Sequence, residues 1–547
     1  MKKRIVWQNL FILLSFIIVA FGQPSWVAFL AFPAGSFAYA LFWGALKSSQ
    51  RALKKNFLLS VLWFTGVQLV QLSWMMATDY QGSYIFLFLF VISLAIGLQF
   101  GLLSSFLLSR KALTVQHAFF AAALYTLFEW SRLFILTGFP WSSVALSLSS
   151  NNYSLQIAAI AGLYGMTFWV IFCNALALRA WAVSFKRNRW KSWVLASLFP
   201  YLFGFAHQSY HEMKMSKDKE VFPVTLVHTA VTPEERNPLL SDQNQYVQSY
   251  RNWCRVLRIL REIDSRQSKV IVFPESIVSL GASFPFYPLE VVEATFRDVL
   301  GERPNFLPVK MDIHKKMRLN LVSNSYWGQA ISNYFGADVV LGMDDYEEEE
   351  GGWYNAAFHF QPFKDLYNRY EKKILIPGAE YLPFSWVASI AKRYGIEGSF
   401  QKGGGMKLFF TSEEVPFSIA ICSEEVYGNY IRNASLLGAR LLITIHNDVW
   451  FPHSRLPQQH FFLGRIRAVE NGIPLIRSTN VGITGAVDSL GRLIAFHKNI
   501  WADGILTVNL PAYTYWTLYT YCGDMLIVIF SFVFLLIGGL KKIYFFK

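Results

Sequence analysis

The chain has 547 residues, of which 53% are hydrophobic and 16% charged, and its mean hydropathy is +0.30. This composition excludes a disordered chain and a single soluble enzyme, and it favours a membrane protein. The four cysteines are widely spaced without a CxxC pair, which excludes a disulfide scaffold and a cysteine-built metal centre.

Apolar stretches that approach the length needed to cross the ~30 Å core of a bilayer recur along the first 210 residues. They predict seven membrane spans, at about 5–22, 25–46, 57–78, 84–108, 117–137, 157–182 and 192–208, and an eighth follows at 522–540. The first stretch comes directly after three basic residues and is also compatible with a signal peptide. The spans that follow it at once favour a retained anchor.

The net charge of +14 is concentrated in this apolar part, where 15 Lys and Arg face only two acids, Asp79 and Glu129. Nucleic-acid binding is one explanation of a basic chain, but here the positive charges fall in alternate loops between the spans, so no nucleic-acid partner is expected. By the positive-inside rule both termini are cytoplasmic and residues 215–515 lie outside. In a two-membrane bacterium this predicts a multi-pass inner-membrane protein with a periplasmic domain.

The external block has the composition of a soluble domain. Its β-branched runs predict strands at Val224–Val227, Lys269–Phe273, Ala337–Leu341, Pro416–Cys422, Leu441–Ile445, Leu475–Ser478 and Ile505–Val508, with helices at Tyr246–Arg266 and His460–Asn471. This alternation favours an α/β sandwich, and the acidic run Asp344–Glu350 is interpreted as a solvated loop. The predicted domains are a polytopic helical membrane domain (1–212), the external domain (213–515) and a closing span with a cytoplasmic tail (516–547).

Three segments place a reactive side chain beside an apolar run. Glu275 follows a proline at a strand end and suits a general base, Lys372 suits an oxyanion stabiliser, and Cys422 suits a nucleophile. Taken alone, each has a structural explanation at least as good: a helix-capping acid, an exposed basic turn and an inert core cysteine.

The order Glu, Lys, Cys is more specific than its parts, and it resembles the catalytic triad of the nitrilase superfamily. The surrounding motifs resemble its membrane-bound branch, the apolipoprotein N-acyltransferase family. The matching motifs include Tyr354-Asn355-Ala356, Tyr370-x-Lys372-x-x-Leu375-x-Pro377-x-x-Glu380-Tyr381, Ala420-Ile421-Cys422-x-Glu424, Asn447-Asp448-x-Trp450-Phe451, Arg467-Ala468-x-Glu470 and Arg477-x-Thr479-Asn480. Glu129-Trp130-x-Arg132 and Thr137-Gly138-Phe139-Pro140-Trp141 resemble that family's fifth span and outer loop.

The resemblance implies an αββα sandwich in which Glu275 is the general base, Lys372 the electrostatic stabiliser and Cys422 the nucleophile. It also implies that Glu380 orients the triad and that Glu424 is a further functional acid. The implied reaction is transfer of an acyl chain from a membrane phospholipid to the free amine of a diacylglyceryl-cysteine on an apolipoprotein, through a thioester. This is the last step of lipoprotein maturation, and we expect it to need no metal or other cofactor and to be carried out by a monomer.

Some positions depart from the family pattern. Ser423 replaces an aromatic residue, Gly378-Ala379 replaces Phe-Gly, and Phe451-Pro452 replaces Phe-Gly at the end of the Asn-Asp motif. The first strand lacks the usual Gln-Gly-Asn around Val227-His-Thr-Ala. We expect these changes to alter acyl or acceptor specificity more than the reaction.

Two other functions stay open. One is a membrane-anchored nitrilase-type amidase or hydrolase, and the other is a non-enzymatic lipoprotein-binding or transport protein, although an intact triad argues against the second. Glu129 and Arg132 lie within a predicted span and are interpreted first as a structural ion pair and second as a contact for a phospholipid headgroup. His207 and His211 have the spacing of helical metal ligands but no third ligand, so no metal site is predicted.

Overall fold

The computed structural model describes residues 2–49, 51–80, 82–181, 187–218, 220–236, 245–262, 268–303, 305–308, 314–316, 319–347, 351–364, 366–384 and 400–544. The chain forms two compact units. The first comprises Met1–Lys214, Phe451–Gly472 and Trp516–Lys547, and the second comprises Met215–Trp450 and Ile473–Tyr515.

The first unit is helical. Its helices are Lys2–Phe21, Ala28–Ser48, Leu53–Gln71, Tyr84–Leu108, Val115–Ser131, Asn152–Leu155, Ala158–Trp181, Arg187–Met215, Leu456–Asn471, Leu518–Cys522 and Met525–Tyr544, with 3₁₀ turns at Ser73–Met76, Arg132–Phe134 and Val144–Ser150.

Three helices of the described residues are long and apolar enough to cross a bilayer. They are Ala28–Ser48, Tyr84–Leu108 and Ala158–Trp181, and the apolar stretches Ile5–Phe21 and Met525–Gly538 are shorter. The chain is therefore a membrane protein, as its composition predicted. The predicted number of eight spans is not confirmed.

Glu129 and Arg132 are both buried in this unit, at 2% and 5% exposure. Their closest charged atoms are 3.9 Å apart. The Glu129 carboxylate accepts closer hydrogen bonds from the Ser143 and Thr167 hydroxyls and the Val144 N–H. Arg132 Nε donates to Gln99 Oε1 at 2.8 Å. The two charges are thus stabilised mainly by neighbouring polar groups, and the ion pair between them is the weaker contact.

Helix Leu456–Asn471 packs with the first unit, although strands of the second unit flank it in the sequence. Near its end, Glu470 Oε1 accepts a hydrogen bond from the Leu163 N–H at 2.8 Å. That N–H is free for a side chain because helix Ala158–Trp181 is broken at Gly162, whose φ is +62°. A Cβ at Gly162 would overlap the Tyr519 ring, so only glycine fits there. The domain boundaries at 212 and 515 stay a prediction.

The second unit contains every strand found among the described residues. They are β1 (Val221–His228), β2 (Val270–Val272), β3 (Tyr287–Pro288), β4 (His314–Lys316), β5 (Leu319–Val322), β6 (Asp338–Glu347), β7 (Gly352–Phe360), β8 (Asn368–Glu371), β9 (Phe409–Phe410), β10 (Pro416–Ile421), β11 (Leu441–His446), β12 (Leu475–Thr479), β13 (Gly485–Val487), β14 (Leu493–Phe496) and β15 (Gly504–Pro511). Its helices are Pro233–Arg236, Gln245–Leu260, Leu289–Leu300, Asn324–Phe335 and Gly428–Leu436, with 3₁₀ turns at Cys422–Val426 and Asp448–Trp450. The strands predicted from β-branched runs are all confirmed.

Two six-stranded sheets form the centre of this unit, with strand orders β15-β1-β2-β6-β7-β8 and β14-β13-β12-β11-β10-β9. In the first sheet β1, β2 and β6 are parallel, and in the second β10, β11 and β12 are parallel. The carboxyl ends of parallel strands meet at one edge of a sheet, where ligands commonly bind in open α/β folds.

Alternation along the strands of the first sheet separates two apolar cores. Val270 and Val272 of β2 pack in the core shared with the second sheet, whereas Ile271 packs against the outer helices. Because both faces are covered, these strands read as continuous apolar runs rather than as alternating ones. The predicted α/β sandwich is therefore confirmed.

The interpretation of Asp344–Glu350 as a solvated loop is wrong for its first four residues. Asp344–Glu347 belong to β6, which pairs residue by residue with β7. Asp345 is 2% exposed and lies 3.0 Å from a guanidinium nitrogen of Arg369. A run of acidic residues predicts a solvent-exposed loop if only its charge is considered. In a strand, however, successive side chains point to opposite faces, so every second one points inward. Residues 348–350 lie outside the described part of the chain.

Candidate active site

The candidate site residues stand where strands of both sheets end. Glu275 follows β2, Lys372 follows β8 and Cys422 follows β10 directly. Strand β2 runs parallel to its neighbours in the first sheet, and β10 runs parallel to β11 in the second. The carboxyl end of β2 thus carries the acid Glu275, and that of β10 carries the thiol of Cys422. A hydrogen bond of 2.6 Å from Asn480 Nδ2 to the Glu275 backbone carbonyl joins the end of β12 to the end of β2.

Glu275 is fixed by its turn and by an amide on a neighbouring strand. The residue is 6% exposed, and its Oε1 accepts a hydrogen bond of 2.7 Å from Asn355 Nδ2 on β7. Its turn packs against Gly342 of β6, where a Cβ would lie only 2.6 Å from the Glu275 Cα. The side chain is therefore held by its contacts on both sides.

Lys372 is the buried cation of the site, with 1% exposure. Its Nζ lies 2.8 Å from Glu380 Oε1 and 3.5 Å from Glu275 Oε1. Burial lowers the pKa of the Lys372 ammonium, but the charges of Glu380 and Glu275 outweigh that effect, and the pKa stands well above its ordinary value. Lys372 is therefore a permanent positive charge between two carboxylates.

A tight turn places Glu380 beside Lys372. Gly378 adopts φ +81° and its N–H donates to the Tyr381 carbonyl at 2.8 Å, a conformation that favours glycine. Glu380 Oε2 then accepts the Ile376 N–H at 2.8 Å, and its Oε1 faces Lys372. The departure Gly378-Ala379 thus forms the turn that carries this acid.

Cys422 stands on a strained turn between β10 and a 3₁₀ helix. Its φ is +51°, which is unfavourable for a residue with a Cβ and costs on the order of 1–3 kcal/mol. The residue is partly exposed. Backbone strain of this kind is commonly concentrated at functional positions, where the surrounding structure holds it in place.

The surroundings of the Cys422 thiol favour its protonated form. Burial raises the pKa of this thiol well above its ordinary value, and the negative charge of Glu275 raises it further. Lys372 acts in the opposite direction and lowers it. A preformed thiolate is therefore not favoured, and a nucleophilic role requires a base that accepts the proton during attack.

Glu424 ties the cysteine turn to the lysine segment. Its carboxylate is fully buried and accepts hydrogen bonds from the N–H groups of Ile421 (2.9 Å), Lys373 (2.7 Å) and Ile374 (3.2 Å) and from the Tyr370 hydroxyl (2.6 Å). Burial raises the pKa of the Glu424 carboxyl, while the bonds from Ile421 and Tyr370 lower it. Glu424 thus fixes the backbone on both sides of the site.

A second buried network lies beneath the cysteine turn. The Arg477 guanidinium, with no exposure, pairs with Glu425 and lies 2.9 Å from Asp448 Oδ2. Gly482 packs against this Asp448, because a Cβ there would lie 2.7 Å from its carboxylate. The network joins the 3₁₀ turn after β10 to the turn after β11 and to the middle of β12.

The structure brings the predicted residues together but distributes their contacts unequally. Lys372 donates hydrogen bonds to both Glu275 and Glu380. The charges of Glu275 and Lys372 act on the pKa of the Cys422 thiol in opposite directions. Glu424 instead binds backbone N–H groups. Lys372 is buried, so its interpretation as an exposed basic turn is wrong, and the catalytic role of each residue stays a prediction.

Sequence reasoning missed the role of Asn355 and of the network around Arg477, although both stand in matched motifs. The available signal was an amide in the apolar strand β7 and an arginine in the buried strand β12. Buried polar groups in central strands need partners. Glu275, Glu380 and Glu424 accept hydrogen bonds from the chain's own amide, lysine and backbone N–H groups.

Comparison with known proteins assigns the chain to a family. The model of the carbon-nitrogen hydrolase family matches residues 242–515, and that of the apolipoprotein N-acyltransferase N-terminal domain matches residues 13–176. An apolipoprotein N-acyltransferase of Chlamydia pneumoniae is 28% identical, with 96% of each chain covered. One of Haemophilus influenzae is also 28% identical, covering 94% of this chain and 92% of the relative.

Among solved structures, Nit3 of Saccharomyces cerevisiae, a member of the nitrilase superfamily, is 17% identical with a TM-score of 0.35 and covers 53% of this chain and 90% of its own. The family models, which span the helical part and the site itself, carry the assignment. The chain belongs to the carbon-nitrogen hydrolase family, in its apolipoprotein N-acyltransferase branch, and is an acyltransferase.

Proposed function

We propose that this chain transfers an acyl chain from a membrane phospholipid to the free N-terminal amine of a diacylglyceryl-cysteine on an apolipoprotein, through a thioester on Cys422. The observation that carries the proposal is the buried Lys372 held between Glu275 and Glu380 beside the strained Cys422 turn. The name shared by relatives that match nearly the whole chain supports lipoprotein N-acylation as the overall reaction.

The first half-reaction is acylation of the thiol. Glu275 accepts the Cys422 proton while the sulfur attacks the carbonyl carbon of the phospholipid ester, because the raised pKa of the thiol requires a base. The carbonyl oxygen becomes an oxyanion that the Lys372 ammonium stabilises. Collapse breaks the ester C–O bond, Glu275 returns the proton to the leaving alkoxide, and a lysophospholipid departs.

The second half-reaction transfers the acyl group to nitrogen. The free amine attacks the thioester carbonyl, and the same ammonium stabilises the second oxyanion. Glu275 takes a proton from the attacking amine, the C–S bond breaks and the thiolate is protonated again. Donor and acceptor both carry lipid tails, so sequential use of one thiol is sterically simpler than a ternary complex.

The proposed location is the bacterial inner membrane, with the domain of residues 213–515 in the periplasm and both termini in the cytoplasm. The alternate distribution of Lys and Arg between the apolar stretches supports this orientation. Lipoprotein and phospholipid are the partners in this proposal, and the bilayer supplies the donor.

The test is a covalent adduct. Purified protein incubated with phospholipid in mixed micelles should acquire an acyl group on Cys422 that hydroxylamine removes. Cys422→Ala should acquire none, whereas Cys254→Ala should react normally. Glu275→Gln should slow acylation by ~10²–10⁴-fold, the usual cost of losing a general base.

Discharge of the adduct separates the transferase from the hydrolase. A diacylglyceryl peptide with a free amine should remove the acyl group, and its N-acetylated form should not. Equal discharge in water without any peptide would support an amidase or hydrolase instead. An adduct on Cys254, or peptide acylation by Cys422→Ala, would overturn the proposal.

A further inference from the structure

Two acceptors and two donors alternate around the centre of the candidate site. Asn355 Nδ2 lies 2.7 Å from Glu275 Oε1 and 3.0 Å from Glu380 Oε1. Lys372 Nζ lies 3.5 Å and 2.8 Å from the same two oxygens. One amide group and one ammonium group therefore bridge the same pair of carboxylates.

The orientation of the amide is fixed by these contacts. Both Nδ2 hydrogens have an acceptor, while the buried Oδ1 has no hydrogen-bond partner among the described residues. A reversed amide would place its oxygen against two carboxylate oxygens, which is electrostatically unfavourable. The backbone also holds the residue, because the Asn355 carbonyl accepts the Lys372 N–H at 2.9 Å.

Charge counting shows why a second donor is needed. Two carboxyl groups lie close together beside one ammonium in a buried site, and close carboxyl groups tend to share a proton. A shared proton would occupy the group that must accept one from the thiol. Hydrogen bonds to the ionised form of a carboxyl favour that form.

We propose that Asn355 is a positioning residue that holds Glu275 and Glu380 on opposite sides of Lys372, by donating one amide hydrogen to the carboxylate of each. The inference rests on the proposed function, because it concerns the position of Glu275, the base that acylation uses. It extends that function by predicting that loss of the amide changes the pH dependence of acylation.

Other charged and titratable groups face the same site from the elements packed around it. They are Cys422 and Glu424 on the turn after β10, Asp448 after β11, and Asp344 on β6, which accepts a hydrogen bond from the Ser276 hydroxyl at 3.0 Å. Asp344 stands opposite Asn355 in the β6–β7 register. Apart from the thiol, these groups are acids, so they increase the need for neutral donors at this position.

The experiment compares pH profiles of Cys422 acylation for the wild type, Asn355→Ala and Asn355→Asp in phospholipid mixed micelles. Loss of the amide should move the acidic limb of the profile, where the acylation rate falls as the pH is lowered, to higher pH by about one unit. This is the shift expected when a charged carboxylate loses a hydrogen bond. Asn355→Asp should move it further, because it adds a third carboxylate. Rates at pH values above this limb should recover to within about tenfold of the wild type, since both amide hydrogens are directed at the two carboxylates.

The matched control is Asn333→Ala. Asn333 is also buried, at 4% exposure, but its amide donates to the Phe306 carbonyl at 2.9 Å, away from the carboxylates. This variant should lower the thermal unfolding midpoint without moving the limb. An unmoved limb in both Asn355 variants, with activity lost at every pH, would overturn the proposal and make Asn355 a structural residue only.

Iodoacetamide alkylation of Cys422 gives a second readout that needs no lipid. Both Asn355 variants should move alkylation to higher pH, because less neutralised carboxylates raise the pKa of the thiol. If the wild type forms no acyl adduct, the proposed function fails, while the alkylation profile still tests the role of Asn355. Unchanged alkylation in folded Asn355 variants would refute it.

Discussion

Gly342→Ala should inactivate the site without touching any candidate catalytic side chain. Gly342 lies on β6, directly against the turn that carries Glu275. A Cβ at this position would lie 2.6 Å from the Glu275 Cα, 2.7 Å from the Ser276 nitrogen and 2.8 Å from the Pro274 oxygen. All three are backbone atoms, so no side-chain rotation can relieve the overlap.

The size of the effect follows from these distances. Ordinary contact with a Cβ begins at 3.4 Å, so the turn must retreat by about 0.8 Å. Glu275 Oε1 now accepts its hydrogen bond from Asn355 at 2.7 Å, and a retreat of that size breaks it. A misplacement of about 1 Å in a catalytic group costs ~10²-fold in rate, and overpacking adds about 1–3 kcal/mol of destabilisation.

The assay is the initial rate of Cys422 acylation per folded molecule, with folding followed by thermal unfolding. Gly404→Ala is the matched control, because a Cβ at Gly404 meets nothing within 4 Å and its rate should stay at the wild-type value. A folded Gly342→Ala protein that acylates at the wild-type rate would refute the reasoning, since Glu275 would then tolerate displacement of its turn.

Three further outcomes are expected. Lys372→Ala should move iodoacetamide alkylation of Cys422 to higher pH, because the ammonium lowers the pKa of this thiol and its loss raises it; a shift to lower pH would contradict this electrostatic assignment. Arg477→Met should lower the stability of the protein by about 3–5 kcal/mol, because two buried carboxylates lose their partner; an unchanged unfolding midpoint would show that the network is not stabilising. In spheroplasts of a strain carrying a protein without native cysteines, Glu302→Cys should react with an impermeant thiol reagent and Lys54→Cys should not, and the reverse pattern would invert the proposed orientation.

The sequence alone predicted those parts of the fold that depend on local pattern. Strands such as β1 and β11 are short runs rich in apolar and β-branched residues, and their apolar character follows from burial on both faces. The order of Glu275, Lys372 and Cys422 predicted one site through a family resemblance. Each residue type also suited its chemistry, but no local pattern showed that the three would meet.

The contacts that fix the site depend on tertiary pairing, which a single sequence does not display. Asn355 reaches Glu275 because β7 lies in the same sheet as β2, with β6 between them. The partners of Glu424 are mostly backbone N–H groups. Every residue except proline has such a group, so the amino-acid sequence does not show which of them bind a carboxylate. The buried position of Asp345 depends on its register in β6, and the packing of helix Leu456–Asn471 depends on the break at Gly162.

Two residues of the candidate site have left-handed backbone conformations. They are Cys422 at φ +51° and Ser276, next to Glu275, at φ +49°. Each costs on the order of 1–3 kcal/mol, so each turn would relax if nothing opposed it. The Cys422 turn is opposed by Glu424, whose carboxylate accepts hydrogen bonds worth about 1.5–3 kcal/mol apiece when the acceptor is charged. The Ser276 turn is opposed by Gly342, whose missing side chain lets β6 approach, and by the bond from Asn480. The proposed nucleophile and the proposed base are therefore held by hydrogen bonds and close packing from neighbouring groups, and the fold supplies the alignment that a flexible chain carrying the same three residues would lack.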